Sequence, residues 1–201
     1  MATFDERART WDTEERRERA EAVAGAIRGA VDLTPATRTI EVGAGTGLLG
    51  LALVGQIGEL VLAEPSSGML DVAREKIALL DRPGVSAITF DLLADAPPSP
   101  PFDLAISLLV LHHLPDTAAA LAAILELLRP GGRIALSDLD TEDGNFHDEE
   151  AEGVHHLGFD RERLEATARE VGFVDVATRT ATTWVNERGA YPLFLLTARR
   201  P

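Results

Sequence analysis

The sequence predicts an α/β protein with a doubly wound, seven-stranded and mostly parallel sheet, helices on both faces and an antiparallel terminal hairpin strand. Two patterns lead to this fold class. Short apolar strands alternate with amphipathic helices through residues 39–139, and two β-rich segments follow at 173–185 and 191–198. The length of 201 residues, 45% of them hydrophobic, suits one such domain with a sizeable core.

Each element follows from a change in hydrophobic period or from a cap. Ser66 and Asp160 stand where a side chain would cap a helix, Gly172 where a helix would stop, and residues 129–132 (RPGG) where another helix would close before a strand. In chain order we predict a helix at 13–31, a strand at 39–42, a helix at 48–53, a strand at 60–63, a helix at 66–80, strands at 85–90 and 102–107, a helix at 116–128, a strand at 133–139, a helix at 160–171 and the hairpin.

These elements make a single domain, 1–201, with four parts. We expect a helical flank or lid at 1–35, a sheet core at 36–139, an acidic, histidine-bearing loop at 140–159, and a helix with the terminal β-hairpin at 160–201. The loop is too polar to be an internal strand.

Charge and composition restrict the partners. The chain has 33 acidic and 19 basic residues and a net charge of −14, which repels phosphate backbones and anionic lipid. It has no cysteine, so it offers neither a disulfide nor a thiol nucleophile. The N-terminus lacks the apolar stretch of a secretory signal, and no later stretch has the length of a membrane span. We therefore expect a cytoplasmic protein that binds neither nucleic acid nor membrane.

A glycine-rich turn carries the strongest chemical signal. Gly43, Gly45 and Gly47 alternate at a strand-to-helix turn, and Glu41 stands two residues before them. Glycines there allow a ligand to approach the main chain closely. The spacing differs from the G-x-G-x-x-G fingerprint of dinucleotide sites, and the acid suits a cationic ligand better than a pyrophosphate.

Two more carboxylates follow the next strands. Glu64 ends the second strand, where doubly wound folds place an acid that accepts hydrogen bonds from ribose hydroxyls; the alternative is a solvated strand-end acid. After the third strand, Asp91 and the neighbouring Leu92 could read an adenine edge, and Asp95 competes for that role. Together with the glycine turn, these residues indicate a nucleoside site.

With these motifs the chain resembles the class I S-adenosylmethionine-dependent methyltransferases, especially the small-molecule branch that includes the ubiquinone/menaquinone-biosynthesis type. The resemblance is strong over 38–140 and implies a Rossmann-like methyltransferase fold. The matching segments occur in the family's order: EVGAGTG at 41–47, LAEPSSGML at 62–70, DLLADAPP at 91–98, FDLAISLLVLHHLPD at 102–116 and LLRPGGRIALSDL at 127–139.

The resemblance implies a role for each matching position. Glu41 would face the amino group of the methionine moiety, and Glu64 would hold the ribose hydroxyls. Asp91 would meet the adenine amino group; Phe90 stands where the family often has glycine, so Asp95 stays an alternative. The implied cofactor-binding set is Glu41, Gly43, Ala44, Gly45, Gly47, Glu64, Ser66, Met69, Asp91, Leu92, and, just past the fourth strand near the sulfonium methyl, Ser107 and Leu108.

Five histidines are candidates for a general base, which is needed only when the acceptor arrives protonated. His147, His155 and His156 lie in the acidic loop, and one of these three is the expected base. His112 and His113 have a structural alternative, because the family often shows a similar LHHL segment in which one histidine packs. The same loop holds metal-capable side chains, but their spacing matches no compact motif, so we expect no metal.

The resemblance therefore implies an enzyme that transfers a methyl group from S-adenosylmethionine to a small molecule by in-line displacement and leaves S-adenosylhomocysteine. The charge of −14 favours a neutral or cationic acceptor. Two alternatives stay open: a non-catalytic S-adenosylmethionine-binding sensor or scaffold, and a nicotinamide-dependent oxidoreductase, which lacks its fingerprint here. We expect a monomer or a homodimer.

Overall fold

The structure, a computed structural model, describes residues 3–146 and 153–201. Its centre is one seven-stranded sheet. The strands are β1 (Arg38–Val42), β2 (Glu59–Glu64), β3 (Val85–Thr89), β4 (Phe102–Leu108), β5 (Leu128–Leu139), β6 (Val174–Asn186) and β7 (Gly189–Arg199). They lie in the order β3-β2-β1-β4-β5-β7-β6, with β1 to β5 parallel and β7 antiparallel to both of its neighbours. The predicted fold class is confirmed.

Side-chain caps begin five of the described helices, the first of them through Thr3. The helices are α1 (Phe4–Arg7), α2 (Glu14–Arg28), α3 (Leu48–Leu53), α4 (Ser67–Leu79), α5 (Thr117–Leu127) and α6 (Arg161–Val171). Thr13, Ser66, Asp116 and Asp160 each accept a hydrogen bond from the backbone amide three residues later and so satisfy an amide that the helix leaves open. Gly172, at φ +117°, ends α6 as predicted.

The sheet is covered on both faces. Along β2, Leu60 and Leu62 pack with α2, α3 and α4, whereas Val61 and Ala63 pack in a second cluster with α5 and α6. Successive side chains of a strand point to opposite faces, so a strand buried on both sides must be apolar throughout.

The strand order reverses at the centre of the sheet. From β1 the chain proceeds outward to β2 and β3, then returns to place β4 on the other side of β1. Doubly wound sheets bind ligands in the crevice that this reversal leaves at the carboxyl ends of the strands. The residues that follow β1 and β4 are therefore placed at a binding crevice by topology alone.

Two boundaries differ from the prediction. Residues 129–132 were expected to form a turn before the strand, but β5 already begins at Leu128. The backbone of Arg200 pairs with Gly131 and Gly132, at 3.0 and 2.8 Å, and extends the sheet over them. The fourth strand extends one residue beyond the predicted 102–107, so that Ser107 and Leu108, which the resemblance implies just past it, both lie inside β4; the pairing with β5 continues to the register Leu108–Ser137.

The acidic loop is anchored at both of its described ends. Asp140 and Phe159 form an isolated bridge, and Arg161 donates two hydrogen bonds to the Asp140 carboxylate, at 2.6 and 2.7 Å. Residues 141–146 and 153–158 form neither helix nor strand, which agrees with the predicted loop. Within 3–146 and 153–201, no helix combines the length and the apolar character needed to cross a membrane.

Candidate functional site

A cavity of about 1760 Å³ opens at the carboxyl ends of β1, β2 and β4. It exceeds the ~300–1000 Å³ of most small-molecule pockets, so a cofactor and a second ligand fit together. Ten of the twelve residues expected to hold the cofactor line it, whereas Gly47 and Ser107 do not: Glu41, Gly43, Ala44, Gly45, Glu64, Ser66, Met69, Asp91, Leu92 and Leu108.

The glycines of the turn serve different purposes. All three have positive φ, +62° at Gly43, +54° at Gly45 and +81° at Gly47. A Cβ at Gly43 would come within 2.6 Å of Val110, and one at Gly47 within 2.6 Å of Leu62, so both positions are closed by packing. A Cβ at Gly45 would find its nearest neighbour 3.8 Å away, at Trp11 Nε1. Gly45 therefore faces the open cavity. Gly47 instead packs against Leu62 on the side of the turn away from the cavity lining.

Glu41 lies beneath the turn and is almost completely buried, with 3% of its surface exposed. Its Oε2 accepts a hydrogen bond from the Gly50 amide at 2.8 Å, and a Cβ at Gly50 would come within 2.5 Å of that oxygen. Burial raises the pKa of Glu41 to about 8, against the opposing effect of the Gly50 amide. In the ligand-free protein this carboxyl group is thus mostly protonated at neutral pH.

Glu64 ties the ends of β1 and β2 together. One carboxylate oxygen accepts from the Gly45 amide at 2.8 Å and the other from the Ser66 amide at 3.0 Å. Burial raises its pKa, and the two amides act in the opposite direction. Since a carboxylate offers about four acceptor positions, two remain for a ligand. We call Glu41, Gly43–Gly45 and Glu64 the glycine-loop end of the cavity.

The residues after β3 distinguish the two candidate aspartates. Asp91 lines the cavity, next to the buried Leu92, and its Oδ1 accepts from the Leu93 amide at 2.9 Å. Asp95 lies outside the lining and accepts from the Asp91 amide at 2.8 Å. Asp95 thus supports the turn on which Asp91 is presented, and Met69 of α4 is the buried residue that lines the cavity from the helix side.

The end of β4 presents an apolar wall. Ser107, expected to face the reactive methyl, is 1% exposed and lies outside the cavity lining, because its side chain is covered by the layers packed on the sheet. Leu108, Leu109 and Val110 line the cavity instead. Leu109 has φ +58°, which is rare for a residue with a side chain, and its amide donates to the Ser137 carbonyl at 2.8 Å.

Residues 3–13, which we call the N-terminal cover, lie across the cavity. Asp12 accepts from Thr46 Oγ1 and from Lys76 Nζ, both at 2.5 Å, and Lys76 also donates to the Thr46 carbonyl at 2.8 Å. Asp5 accepts from Ser66 Oγ at 2.7 Å and from the Gly68 amide at 2.6 Å. The cover is thus hydrogen-bonded to the glycine turn and to the start of α4.

The histidines are placed differently from the expectation. His147 falls outside the described residues. His155 is exposed, and His156 lies 5.3 Å from the Phe159 ring, with its Nε2 at 3.0 Å from the Leu114 carbonyl; neither lines the cavity. His112 and His113, on the short 3-10 turn after β4, both do.

His112 and His113 are held by different partners. The His112 ring, 1% exposed, bonds through Nδ1 to the buried Asp138 carboxylate at 2.7 Å, and its amide donates to the same carboxylate at 3.2 Å. His113 Nδ1 lies 2.9 Å from the Gly153 carbonyl, which can only accept, so Nδ1 carries the proton and Nε2 is the basic atom of the neutral ring. Burial, and secondarily His112, lower the pKa of His113.

Five residues form what we call the guanidinium–aromatic wall of the cavity: Trp11, Arg16, Arg19, Phe146 and Trp184. All of them line the cavity. Arg16 lies over the Trp11 ring, with Cζ 4.0 Å from its centroid, and donates to the Trp11 carbonyl at 2.9 Å. Arg19 lies 5.3 Å from the Trp184 centroid and 5.7 Å from that of Phe146. Cations over aromatic faces are attracted by the ring quadrupole.

Metal binding has no structural support within 3–146 and 153–201, where no group of three metal-capable side chains comes together. The acidic-loop candidates His147, Glu149 and Glu150 lie outside those ranges.

Several of these residues were missed from the sequence. An acid inside the apolar strand 133–139 was a usable signal for Asp138. A glycine nine residues after Glu41, inside a helix, was a usable signal for Gly50. Arg19 and Trp184, more than 150 positions apart, carry no local signal that relates them.

Comparison with known proteins agrees with the family resemblance seen in the sequence motifs. A methyltransferase-domain family model matches residues 40–134. An uncharacterized methyltransferase of Geobacillus kaustophilus is 32% identical over 168 residues, which cover 74% of each chain. A ubiquinone biosynthesis O-methyltransferase of Xylella fastidiosa is 36% identical over 107 residues, 51% of this chain and 42% of that one. The chain spans about half the length of the first curated relatives it matches.

Solved structures share the fold at low identity. A chain in the complex of the Haloferax volcanii Trm112 methyltransferase activator with a methyltransferase superposes with a TM-score of 0.79 at 17% identity, over 100% of this chain and 99% of that one. Haemonchus contortus phosphoethanolamine N-methyltransferase 2 in complex with S-adenosylmethionine gives 0.72 at 17% identity, over 90% and 52%. With the glycine turn, the ordered motifs and the strand order, these relatives show that the chain belongs to the class I S-adenosylmethionine-dependent methyltransferases.

Proposed function

We propose that the protein binds S-adenosylmethionine in this cavity and transfers its methyl group to a small-molecule acceptor. The observation that carries the proposal is the glycine-loop end: two buried carboxyl groups, Glu41 and Glu64, meet an open glycine turn at the carboxyl ends of adjacent strands. A nucleoside with a cationic tail matches this combination better than a pyrophosphate, which two carboxylates would repel.

The methionine end of the cofactor is assigned to Glu41. In the free protein burial favours the neutral carboxyl group, and an ammonium group would restore the charged form because an opposite charge stabilises it. The Gly50 amide holds the carboxyl group in place at 2.8 Å while its other oxygen serves the ligand. Glu41 thus acts as a pre-positioned acceptor that becomes an anion when a cation binds.

The nucleoside is assigned to Glu64 and Asp91. Glu64 is fixed by the Gly45 and Ser66 amides and has acceptor positions left for a pair of ribose hydroxyls. Asp91 lies on the cavity wall and has its backbone fixed by Asp95, which suits it to accept from an amino group, while Leu92 offers an apolar surface to a ring.

When bound, the cofactor supplies a sulfonium methyl that is already activated for displacement. The chain has to orient an acceptor in line with that methyl and to exclude water. Leu108, Leu109 and Val110 give the wall after β4 an apolar character, and the N-terminal cover lies across the opening. Ser107 has no part in this proposal, since it is buried in the sheet.

For an acceptor that carries a proton on its nucleophilic atom, we assign the base to His113. It lines the cavity, the Gly153 carbonyl fixes its tautomer, and its lowered pKa keeps it neutral at pH 7. His112 and Asp138 position the turn on which His113 stands. His147, His155 and His156 stay predictions for this role, the last two without a place on the described cavity wall.

The acceptor class rests on the enclosure of the cavity and on the net charge of −14, which opposes a nucleic-acid backbone. The ubiquinone biosynthesis O-methyltransferase among the relatives supports a small-molecule acceptor. The alternative is a protein partner, because one structural neighbour was solved in complex with the Trm112 activator. A cytoplasmic location belongs to the same proposal.

Calorimetric titration with S-adenosylmethionine and S-adenosylhomocysteine, with NAD as the control, tests the cofactor. We expect micromolar binding of the first two and none of the third. Methyl turnover with a panel of small acceptors then separates an enzyme from a binding protein that only senses the cofactor. Preference for NAD, or absence of binding to all three, would contradict the assignment of the glycine-loop end.

A further inference from the structure

Arg19 of α2 presents a cation to the cavity between two aromatic rings. Its guanidinium carbon lies 5.3 Å from the Trp184 centroid and 5.7 Å from the Phe146 centroid, and the side chain is half-buried. Phe146 in turn packs edge-on against the Tyr191 ring at 5.2 Å. The cation is therefore held by rings from the acidic loop and from the terminal hairpin, not left to rotate in solvent.

Among the residues that the structure describes, Arg19 has no acidic partner, whereas other arginines of α2 have one. Arg17 pairs with Glu14 at 3.9 Å, and Arg28 with Glu21 at 2.9 Å. In the part of the chain that the structure describes, Arg19 forms neither an ion pair nor a hydrogen bond, and its contacts are the two aromatic rings. Glu15 favours its charge without contacting it.

The surroundings make this cation costly without an anion. Burial, and then the neighbouring Arg16, lower the pKa of Arg19 to about 10, so the group stays charged at neutral pH in a place that disfavours charge. The acids that line the same cavity nearby, Glu15 and Glu187, are exposed. An anion brought by a ligand would offset the desolvation and form charge-assisted hydrogen bonds.

We propose that the methyl acceptor is a planar organic acid, whose carboxylate binds the Arg19 guanidinium and whose ring packs against the guanidinium–aromatic wall. This inference rests on the proposed function, since it names the acceptor of that same site. Guanidinium and carboxylate match in a planar, two-bond geometry, and aromatic walls favour a flat apolar body. It reverses the expectation of a neutral or cationic acceptor, because net charge describes the whole surface and not this wall.

The cofactor has a carboxylate of its own, and the geometry assigns that group to Arg16 instead. Trp11 is the wall residue next to the glycine turn, at 3.8 Å from a Cβ placed on Gly45, and Arg16 lies over Trp11 at 4.0 Å. Arg19 stands about one helical turn further along α2, against the hairpin residue Trp184. The two guanidiniums therefore lie against different rings of the same wall.

Calorimetric titration with 2-naphthoate and its neutral isostere 2-naphthamide tests the proposal, both with and without saturating S-adenosylhomocysteine. We expect the acid to bind about tenfold more tightly than the amide. Arg19→Gln should reduce this ratio to less than about threefold, whereas Arg17→Gln, on the exposed side of the same helix, should leave it unchanged. Arg19→Lys, which keeps the charge without the planar fork, should retain part of the ratio.

Three other results of these titrations would contradict the proposal or the function on which it rests. Equal binding of acid and amide, or binding of neither, would overturn the proposal. So would an Arg19→Gln variant that keeps the acid preference but weakens S-adenosylhomocysteine about tenfold or more, because Arg19 would then serve the cofactor carboxylate. We expect Arg16→Gln to show that cofactor effect. Absence of S-adenosylhomocysteine binding in the wild type would count against the proposed function alone, since the acid preference is also measured without it.

Discussion

The two ends of the cavity differ in how far apart along the chain their residues lie. The glycine-loop end joins Glu41 and Gly43–Gly45 from one strand-to-helix turn with Glu64 from the next strand. The guanidinium–aromatic wall joins Arg16 and Arg19 with Phe146 and Trp184, which lie more than 120 positions later. The first end is set by local turn chemistry on a rigid sheet, and the second only forms when distant segments pack together.

The difference suggests a division of roles. Residues fixed by strand ends and backbone amides suit a ligand that never changes, such as a cofactor. Residues brought by a helix, a loop and the edge strand β6 can vary without disturbing the parallel strands β1 to β5, which suits recognition of a particular acceptor. Variants of the glycine-loop end should therefore change cofactor binding, and variants of the guanidinium–aromatic wall should change acceptor binding.

Gly45→Val should have the largest effect. A β-branched side chain at φ +54° is strained, and it would project into the open cavity beside Trp11. We expect S-adenosylmethionine binding to become undetectable by calorimetry while the circular dichroism spectrum stays folded. Gly131→Val, also at positive φ but outside the cavity, is the matched control and should bind normally. Unchanged affinity in Gly45→Val would contradict the assigned turn.

His113→Asn should lower methyl transfer by about 100-fold at pH 7 without changing cofactor affinity, because proton removal by a positioned base contributes ~10²–10⁴ to a rate. The base works in its neutral form, and burial lowers its pKa, so the acid-side fall of the wild-type rate should have its midpoint at a lower pH than the 6.5 of an ordinary histidine. Rate–pH profiles with the best acceptor from a screen measure this.

His156→Asn, off the cavity wall, is the control for that profile, and His147→Ala tests the loop expectation. Both should keep the rate near the wild-type value. A large loss of turnover in His147→Ala with His113→Asn unaffected would move the base to the acidic loop.

Glu64→Ala should weaken S-adenosylmethionine binding by about 1–3 kcal/mol, because it removes acceptors for the ribose and the bonds that hold the Gly45 and Ser66 amides. Glu59→Ala, at the other end of β2 and paired with Arg38 at the surface, is the matched control and should leave affinity unchanged. Equal losses in the two variants would mean that general destabilisation, not ligand contact, is being measured.

Glu41→Gln should have a smaller, pH-dependent effect. Because the folded pKa of about 8 lies above the ordinary 4.5, the free protein binds a proton in that interval that the unfolded chain has lost. The resulting stability is complete below pH 4.5 and disappears as pH rises through 8. Binding a cationic cofactor at pH 6.5 should therefore release close to one proton, seen as a calorimetric enthalpy that varies with the buffer, and affinity should rise with pH.

In Glu41→Gln the proton release should be absent and the affinity about tenfold lower, with the melting temperature of the free protein at least as high as in the wild type. Glu64, whose pKa is also raised by burial, is the neighbouring source of protons, so release that persists in Glu41→Gln would assign the effect to Glu64.

The same contrast explains how much the sequence predicted. The sheet, the caps at Ser66 and Asp160 and ten cavity-lining residues followed from hydrophobic periods, turn glycines and motif order, which are local properties. Strand length is not local: pairing with β5 extends β4 to Leu108, and pairing with Arg200 extends β5 over Gly131 and Gly132. The position of Arg19 beside Phe146 and Trp184 depends on tertiary packing that no short motif encodes. The same holds for the finding that His113 lines the cavity and His155 does not.

The N-terminal cover also has a consequence for kinetics. Asp12 and Asp5 bond to Thr46, Lys76 and Ser66, which belong to or adjoin the residues that would hold the cofactor. A short segment held by a few hydrogen bonds opens by local unfolding, at a far smaller free-energy cost than global unfolding. The opening frequency of residues 3–13, and not the strength of the contacts below them, would then limit how quickly spent cofactor is exchanged, so burst kinetics should precede a slower steady state.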